Sequence, residues 1–427
     1  MSDNKERIIE TGPGIMSGLR DLPKHLNTKS VTAGTLAAIF GCTGPALIVM
    51  GAAEKGGFTP EQTISWLFSI YFFGGLFSII MALRFKTPIN GAYSIPGAVL
   101  MATALLTFNI HEASGAYMMA GILVFILGIS GTIGKIMKWI PLPIIMGMIA
   151  GAMFRFALSI VDSIQAAPFI AGATVISFLI FYRLWKRFPP ILGALGVGVL
   201  VAWITGQIQV QSMDIGLALP QFVAPVFTLD AFLSIALPLA VLVIGAENAQ
   251  ATGVLLSQGY RAPVNYMTTI SGIGGMVTSL FGGHNANIAG PMTALCSSEL
   301  AGDKKEGRYA ATVVDGVLFA GFGLIAGIAV PVLLALPRTL ISTVAGLAML
   351  AVLISVFQGA FSGKKFQFGA FAAFVVAMSG ITIFKISAPF WALIIGVAVS
   401  YIVEQNHFSL KKNDAPLENE DKIVVNH

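Results

Sequence analysis

Two polar, glycine-rich stretches decide the fold: Gly-Ala-Tyr-Ser-Ile-Pro-Gly at residues 91–97 and Gly-Gly-His-Asn-Ala-Asn-Ile-Ala-Gly-Pro at residues 282–291. Each leads into an apolar run, 97–108 or 290–302, that is too short to cross a bilayer alone. A hydrocarbon core about 30 Å thick needs about 20 helical residues, each adding about 1.5 Å. Broken elements at corresponding places in two halves of a chain are typical of the substrate site of a membrane transporter.

The composition is that of a polytopic membrane protein. Of 427 residues, 56% are hydrophobic and 11% are charged, whereas a soluble domain has about 25% charged residues. Basic residues lie in short loops rather than in one patch, so no nucleic-acid partner is expected. The five His and two Cys show no metal-ligand spacing, and no phosphate-binding or nucleophile motif is found. We therefore expect no metal, no cofactor other than a coupling proton, and no enzyme activity.

The apolar pattern predicts an all-α protein with fourteen membrane spans, of which the third and the tenth are broken. The predicted spans cover residues 31–52, 63–83, 88–107, 115–134, 140–160, 167–184, 190–206, 229–257, 265–281, 283–301, 309–333, 336–360, 366–384 and 387–404.

The distribution of basic residues tests this count, because cytoplasmic loops are rich in Lys and Arg. With the amino terminus inside, 21 of the 25 Lys and Arg residues fall on the inside. Only Lys55, Arg338 and Lys385 fall outside, and Arg155 is the single basic residue well inside a span. We therefore predict that both termini are cytoplasmic.

The long connection between the seventh and eighth predicted spans lies on the outside and divides the fourteen spans into two halves of seven. An odd number of spans in each half inverts the second half relative to the first, which is the inverted-repeat architecture of many transporters. The predicted organisation is a cytoplasmic tail at 1–30, a first repeat at 31–206, an external linker at 207–228, a second repeat at 229–405 and a cytoplasmic tail at 406–427.

Inversion brings the two leading segments into the membrane from opposite faces, where they can pair as short antiparallel strands. The amino ends of the two half-helices then face each other and offer free N–H groups to an anionic or carbonyl-bearing ligand. Helix capping is an equal alternative for the His and Asn side chains here, and the tyrosine can stack on a ring or line the core. The candidate substrate-binding residues are Tyr93, Ser94, Gly97, His284, Asn285, Asn287 and Gly290.

Glu247 is the one carboxylate placed well inside the eighth span. An ionised carboxylate in hydrocarbon is costly, so such residues usually face a cavity and exchange a proton or pair with a cation. We predict that Glu247 contacts substrate and binds the coupling proton, the alternatives being an ion pair with Arg155 or a polar helix contact. Asp315 is a weaker candidate because it lies nearer the cytoplasmic end, within reach of Arg308.

Several motifs resemble those of a known family. Glu-Asn-Ala-Gln at 247–250, Gly-Tyr-Arg-Ala-Pro-Val-Asn at 259–265, Phe-Gly-Gly-His at 281–284 and Ser-Ile-Pro-Gly-Ala at 94–98 are similar to the benzoate:proton symporter (BenE) family. More distantly, the architecture resembles uracil and other nucleobase permeases. That resemblance implies a core domain of spans 1 to 4 and 8 to 11, and a gate domain of spans 5 to 7 and 12 to 14.

The resemblance implies a proton-coupled importer of an aromatic carboxylate that works by alternating access in a bacterial inner membrane. Its partners would be a small aromatic anion and the lipid bilayer, and a homodimer is one assembly it allows. The alternatives are a nucleobase:proton symporter and an uncoupled anion channel or facilitator. His284 and Asn285 stand where nucleobase permeases have a second acidic residue, which weighs against a nucleobase.

Overall fold

The computed structural model describes residues 9–42, 44–133, 141–184, 190–208, 219–383 and 388–408. Parts of both predicted tails and of the predicted external linker lie outside these ranges. The described chain is helical apart from two short strands and the connecting turns.

In the first half, the described elements are α1 (Ile15–His25), α2 (Thr28–Cys42), α3 (Gly44–Lys55), α4 (Pro60–Phe85), β1 (Gly91–Ala92), α5 (Ile95–Ala104), α6 (Ile110–Ser130), α7 (Leu142–Ala166), α8 (Pro168–Leu184) and α9 (Pro190–Ile204). Helix α4 begins with a capping box in which the Thr59 and Gln62 side chains each bond the other's backbone N–H, and Asn109 and Glu112 start α6 in the same way.

In the second half, the described elements are α10 (Leu229–Leu256), α11 (Val264–Ser279), β2 (Asn287–Ile288), α12 (Gly290–Ser297), α13 (Tyr309–Leu324), α14 (Ala326–Leu334), α15 (Arg338–Phe361), α16 (Gln367–Ser379) and α17 (Ala388–Val403). Helix α10 contains two π-helical segments, Phe232–Ala236 and Val243–Asn248.

Five helices in the described part of the chain are long and apolar enough to cross a bilayer: Thr28–Lys55, which joins α2 and α3, then Pro60–Phe85, Ile110–Ser130, Leu142–Ala166 and Leu229–Leu256. A sixth results if Lys305–Leu324 and Ala326–Val332, which are bent by 67°, count as one span. Each of the fourteen predicted segments overlaps a described helix. The fold is thus that of a multi-pass helical membrane protein, while the count of fourteen spans stays a prediction.

The two broken elements are present and their leading segments pair. Strands β1 and β2 are antiparallel, with Gly91 opposite Ile288 and Ala92 opposite Asn287. The helices that follow have 10 and 8 residues, which at about 1.5 Å per residue is about half a bilayer or less.

Glycines let a long helix approach each leading segment closely. A Cβ atom on Gly74 of α4 would lie 2.8 Å from the carbonyl oxygen of Ala92, and one on Gly274 of α11 would overlap the carbonyl oxygen of Ala286. The next residue on each helix faces a partner helix, because Gly75 packs on α13 and Gly275 packs on Gly121 of α6. The two halves therefore hold their leading segments through equivalent contacts.

Two sets of helices pack chiefly within themselves. We call α2–α6 with α10–α14 the first helix group, and α7–α9 with α15–α17 the second helix group. The first group contains both strands and both half-helices.

The predicted amino-terminal tail contains helix α1, which the sequence analysis did not predict. The segment is too short and too polar to span a bilayer, so the hydropathy pattern did not mark it. It packs on the ends of longer helices: Tyr309 Oη donates to the Gly18 carbonyl at 2.9 Å, and Lys86 Nζ lies 2.6 Å from Asp21 Oδ2. The hydrogen bond from Lys86 holds the pKa of the Asp21 carboxyl below its ordinary value.

We expect Gly274→Ala to lower the stability of the protein by about 1–3 kcal/mol, because the added methyl group forces apart α11 and the second leading segment. Thermal unfolding of the detergent-purified protein measures this. Gly172→Ala is the matched control, since nothing lies within 4 Å of a Cβ there. Equal melting temperatures for the two variants would contradict the proposed close approach.

Candidate functional site

A cavity of about 510 Å³ lies between the two helix groups. This volume is within the range of about 300–1,000 Å³ that is usual for small-molecule sites. The first group lines it with Phe40, Ile95, Pro96, Ala246, Glu247, Ala249, Gln250, Pro291 and Leu295, and the second group with Leu142, Met146, Ile149, Ser355, Val356 and Gly359. Glu247 is the one titratable side chain in this lining, and the walls are otherwise mostly apolar.

Glu247 lies where the two half-helices begin. The Ser94 hydroxyl and the backbone N–H groups of Ile95 and Gly290 lie close to its carboxylate. The side chain is 5% exposed and belongs to the π-helical segment Val243–Asn248. Such π-bulges are frequent at functional sites because they turn a side chain away from the regular helical position.

The two amino ends differ in how they are capped. At α5, Ser94 Oγ accepts from the Gly97 N–H at 3.0 Å. Helix α12 has no side-chain cap, and Pro291 occupies its first turn. A Cβ on Gly290 would lie 2.6 Å from the Gln250 side chain, so glycine lets α12 start against α10. The Glu247 carboxylate therefore faces an α12 amino end that no side chain in the described part of the chain caps.

Glycine at position 97 serves close packing rather than the cavity. A Cβ there would lie 2.8 Å from Leu239 Cδ1 and 3.0 Å from His284 Cδ2. Gly97 is thus near the other candidate residues but does not border the large cavity.

His284 forms a buried bridge between α4 and the start of α5. Trp66 Nε1, which can only donate, bonds His284 Nδ1 at 3.0 Å, so Nε2 carries the hydrogen and donates to the Ser94 carbonyl at 2.9 Å. The ring is fully buried and is absent from the lining of the large cavity. Both ring nitrogens are engaged within the protein, which favours a structural role.

Asn285 and Asn287 do not border the large cavity: Asn287 lies in β2 and Asn285 precedes it. Asn285 Oδ1 accepts from the Ser94 N–H at 3.2 Å, while its Nδ2 has no partner among the described residues. Asn287, in β2, is fully buried, and neither polar atom of its side chain has a partner in that part of the chain. Their predicted contact with substrate stays a prediction.

Tyr93 is turned toward the core of the first helix group. Its hydroxyl bonds the Tyr71 hydroxyl at 2.8 Å, and Tyr71 in turn donates to the Gly41 carbonyl at 2.8 Å. The ring is stacked with Phe319 at 6.3 Å and borders a cavity of about 20 Å³ that Glu247 also lines. Phe40 is the aromatic side chain that borders the large cavity.

The expected pairing of Asp315 with Arg308 is wrong. Asp315 Oδ2 accepts from Asn90 Nδ2 at 2.7 Å and from Ser78 Oγ at 3.4 Å, so its partners are neutral. Arg308 instead donates to the carbonyls of Ser297 and Gly302, which closes the end of α12. The reason is helix-end chemistry: orphan carbonyls after α12 attract the guanidinium.

The alternative in which Arg155 pairs with Glu247 is also wrong. Arg155 donates to the carbonyls of Met378 at 3.3 Å and Ser379 at 3.0 Å, at the end of α16 in the second helix group. Glu247 belongs to the first helix group and lies at the start of the half-helices.

Sequence reasoning did not identify the residues of the second helix group that line the large cavity. Met146, Ile149 and Ser355 lie in apolar helices where nothing in the local sequence separates a cavity wall from a lipid-facing or core position. Gln250 could have been predicted to line the cavity, since it lies about one helical turn after Glu247 and so shares its face of the helix.

Apolar helices around a central cavity, with two half-helices meeting at a buried carboxylate, define the class of this protein as a membrane transporter. The chain belongs to the benzoate membrane transport protein (BenE) family, whose model matches residues 24–402. Members of this family are transport proteins and not enzymes.

The similar proteins of known name cover almost the whole chain. A benzoate membrane transport protein of Acinetobacter baylyi is 30% identical over 90% of this chain and 98% of its own length. The inner membrane protein YdcO of Escherichia coli is 28% identical over 89% of this chain and 98% of its own length.

Solved structures share the fold at low sequence identity. The transmembrane domain of the cyanobacterial bicarbonate transporter BicA has a TM-score of 0.60 at 17% identity, covering 87% of this chain and 97% of that one. The murine Solute Carrier 26 family member A9 anion transporter, in its inward-facing state, has a TM-score of 0.62 at 14% identity, covering 91% of this chain and 70% of that one.

We expect Trp66→Phe to lower the free energy of unfolding by about 1–3 kcal/mol, because it leaves His284 Nδ1 buried without its donor. Substrate affinity should stay the same if the His284 bridge is structural. Melting temperature and ligand titration of the purified protein measure the two effects. Trp203→Phe is the control, since Trp203 is 69% exposed; weaker binding without loss of stability would instead support a substrate-binding His284.

Proposed function

We propose that the protein imports benzoate or a similar aromatic carboxylate together with a proton. One observation carries the proposal: the single titratable side chain lining the large cavity, Glu247, lies at the amino ends of both half-helices. Membership in the benzoate membrane transport family and the apolar walls of the cavity support an aromatic anion as the substrate.

The position of Glu247 supplies a physical reason for coupling. The amino ends of α5 and α12 form one region of positive potential, which attracts a single negative charge. An ionised Glu247 and a substrate carboxylate would compete for it and repel each other across a few ångströms of low-dielectric space. Substrate therefore binds best when Glu247 is protonated and neutral. Since each ligand favours binding of the other, the proton and the anion travel together.

The remaining walls suit the ring of the substrate. Phe40 and Ile95 come from the first helix group, and Met146 and Ile149 face them from the second. A flat apolar ring placed here leaves its carboxylate near the half-helix amino ends. Gln250 and Ser355 are the other polar side chains on the lining and provide hydrogen-bonding groups for a polar edge of the substrate.

The position of the cavity supports alternating access with the first helix group as core and the second as gate. The matched glycine contacts of α4 and α11 support the predicted seven-plus-seven inverted repeat. The cavity is bordered by Leu142 and Met146 near the start of the fifth predicted span and by Gly359 near the end of the twelfth. Both are cytoplasmic ends in the predicted topology, so this conformation is open to the inside.

The homodimer that the family resemblance allows stays a prediction.

We expect Glu247→Gln to abolish accumulation of labelled benzoate in proteoliposomes under an inward proton gradient. Exchange of internal for external benzoate should persist, because the neutral amide leaves the half-helix amino ends free for the anion. Glu112→Gln is the matched control, since it makes the same chemical change at an exposed capping box that Gln can also close. Gradient-driven accumulation at the wild-type level in Glu247→Gln would rule out its coupling role.

We expect benzoate to bind the wild-type protein more tightly as the pH falls from about 8 to about 6. Protonation of Glu247 removes the competing charge, so binding and proton uptake are linked and affinity is lost as the pH rises. Calorimetric titration at several pH values measures this, and buffers of different ionisation enthalpy report the proton taken up. In Glu247→Gln the dependence should disappear; an unchanged dependence in that variant would assign the proton to another group.

A competition panel separates the alternative substrates. Benzoate and related aromatic acids should compete for uptake, whereas uracil and xanthine should not. Stronger competition by the nucleobases would favour a nucleobase:proton symporter. Uptake of benzoate that ignores the proton gradient would favour an uncoupled channel or facilitator.

A further inference from the structure

A second, smaller cavity of about 100 Å³ lies between the same two helix groups. It is bordered by Thr103 at the far end of α5 and Thr107 in the turn that follows, and by Ala152 and Arg155 of α7. The near end of α5, at Ile95, borders the large cavity, as does the beginning of α7. The two helices therefore border both cavities, which lie toward opposite ends of α5 along the boundary between the two helix groups. We call this boundary the crevice.

The cavities at the two ends of the crevice differ in volume and in the charge of their lining. The cavity at the Glu247 end has about five times the volume of the other. Arg155 is the one charged side chain lining the small cavity. In the predicted topology this is the external end, because α5 and the fifth predicted span both run outward from the inside.

Arg155 is an exposed cation on an otherwise mostly apolar helix. It is the one basic residue among the 25 residues of α7, and in the described part of the chain no carboxylate lies within ion-pair distance of it. The guanidinium stays charged under all ordinary conditions and has five N–H donors. Charged groups inside membrane spans are costly, and they commonly mark the path of an ion or substrate.

Capping of α16 accounts for only part of the Arg155 environment. The bonds from Nε and Nη2 to the carbonyls of Met378 and Ser379 orient the guanidinium at the end of α16, and Gly380, with φ +65°, makes room for it. A neutral side-chain donor would also satisfy those carbonyls. Helix capping therefore does not require a full positive charge on the cavity lining.

We propose that Arg155 forms a second anion site, at which the carboxylate of the substrate is recognised at the end of the crevice opposite Glu247. The proposal rests on the proposed function, since the ligand is the same aromatic carboxylate. When the Arg155 end opens, the oriented guanidinium attracts the ionised acid and offers a charge-assisted hydrogen bond. The anion then moves along α5 to the half-helix amino ends, where Glu247 takes up the proton.

The proposal predicts that substituting Arg155 changes benzoate transport only when benzoate is supplied from the Arg155 side of the membrane. Benzoate transport is measured in right-side-out and in inverted membrane vesicles of one host carrying wild type, Arg155→Gln or Arg155→Lys. For Arg155→Gln we expect KM to rise about tenfold when benzoate is supplied from the Arg155 side and to stay unchanged from the Glu247 side. Gln can still donate to the α16 carbonyls, so the melting temperature should be kept, and Arg155→Lys should retain most of the wild-type affinity because it keeps the charge.

Lys55→Gln is the matched control, because it removes an exposed basic residue on the same predicted face that borders neither cavity. It should leave KM unchanged from both sides. A KM change that is equal from both sides in Arg155→Gln, or a lower melting temperature with no KM change, would overturn the second site and leave the capping role. Failure of wild type to transport benzoate from either side would instead overturn the proposed function and this inference together.

Discussion

The structure depends on one constraint: backbone N–H and C=O groups in the middle of an apolar protein must be hydrogen-bonded. Breaking two helices exposes such groups, and the pairing of β1 with β2 satisfies part of them. Side chains and backbone of the first helix group satisfy others. Ser78 Oγ accepts from the Gly91 N–H at 2.7 Å, Ser271 Oγ accepts from the Ile288 N–H at 3.2 Å, and the Ala289 N–H donates to the Asn90 carbonyl at 2.9 Å.

The strand pairing also determines the electrostatics of the site. Because the strands are antiparallel, the half-helices that follow them start close together, and their positive ends coincide at one place. A single carboxylate, Glu247, lies there in a π-helical segment. Trp66, His284 and Ser94 hold the leading segments in register through neutral hydrogen bonds, so no second charge competes at this position. The proposed coupling of a proton to an anion rests on this electrostatic constraint: the region attracts one negative charge, whereas Glu247 and the proposed substrate each bring a carboxylate.

Sequence reasoning identified the two leading segments and Glu247, which the structure brings together, but only the structure shows what surrounds each side chain there. Tyr93 and His284 follow the same local pattern as Ser94, yet their contacts are to Tyr71 and Trp66, more than 20 residues away in sequence. A polar side chain in a leading segment can point toward the cavity or away from it, and only its neighbours decide which. Phe40 and Met146 were missed for the complementary reason, because an apolar residue in an apolar helix carries no local sign that it faces a cavity.

By itself, the sequence determined the membrane class, the positions of the helices and of the two interruptions, and the candidacy of Glu247. Hydropathy, glycine and proline placement and charge are local properties, and a bilayer restricts the structures that satisfy them. The tertiary structure alone decided that α1 packs on the ends of α4 and α13, that Asp315 bonds Asn90, and that Arg155 and Glu247 lie at opposite ends of one crevice. Those features depend on which distant segments meet, and such contacts arise from packing of the whole chain rather than from any local pattern.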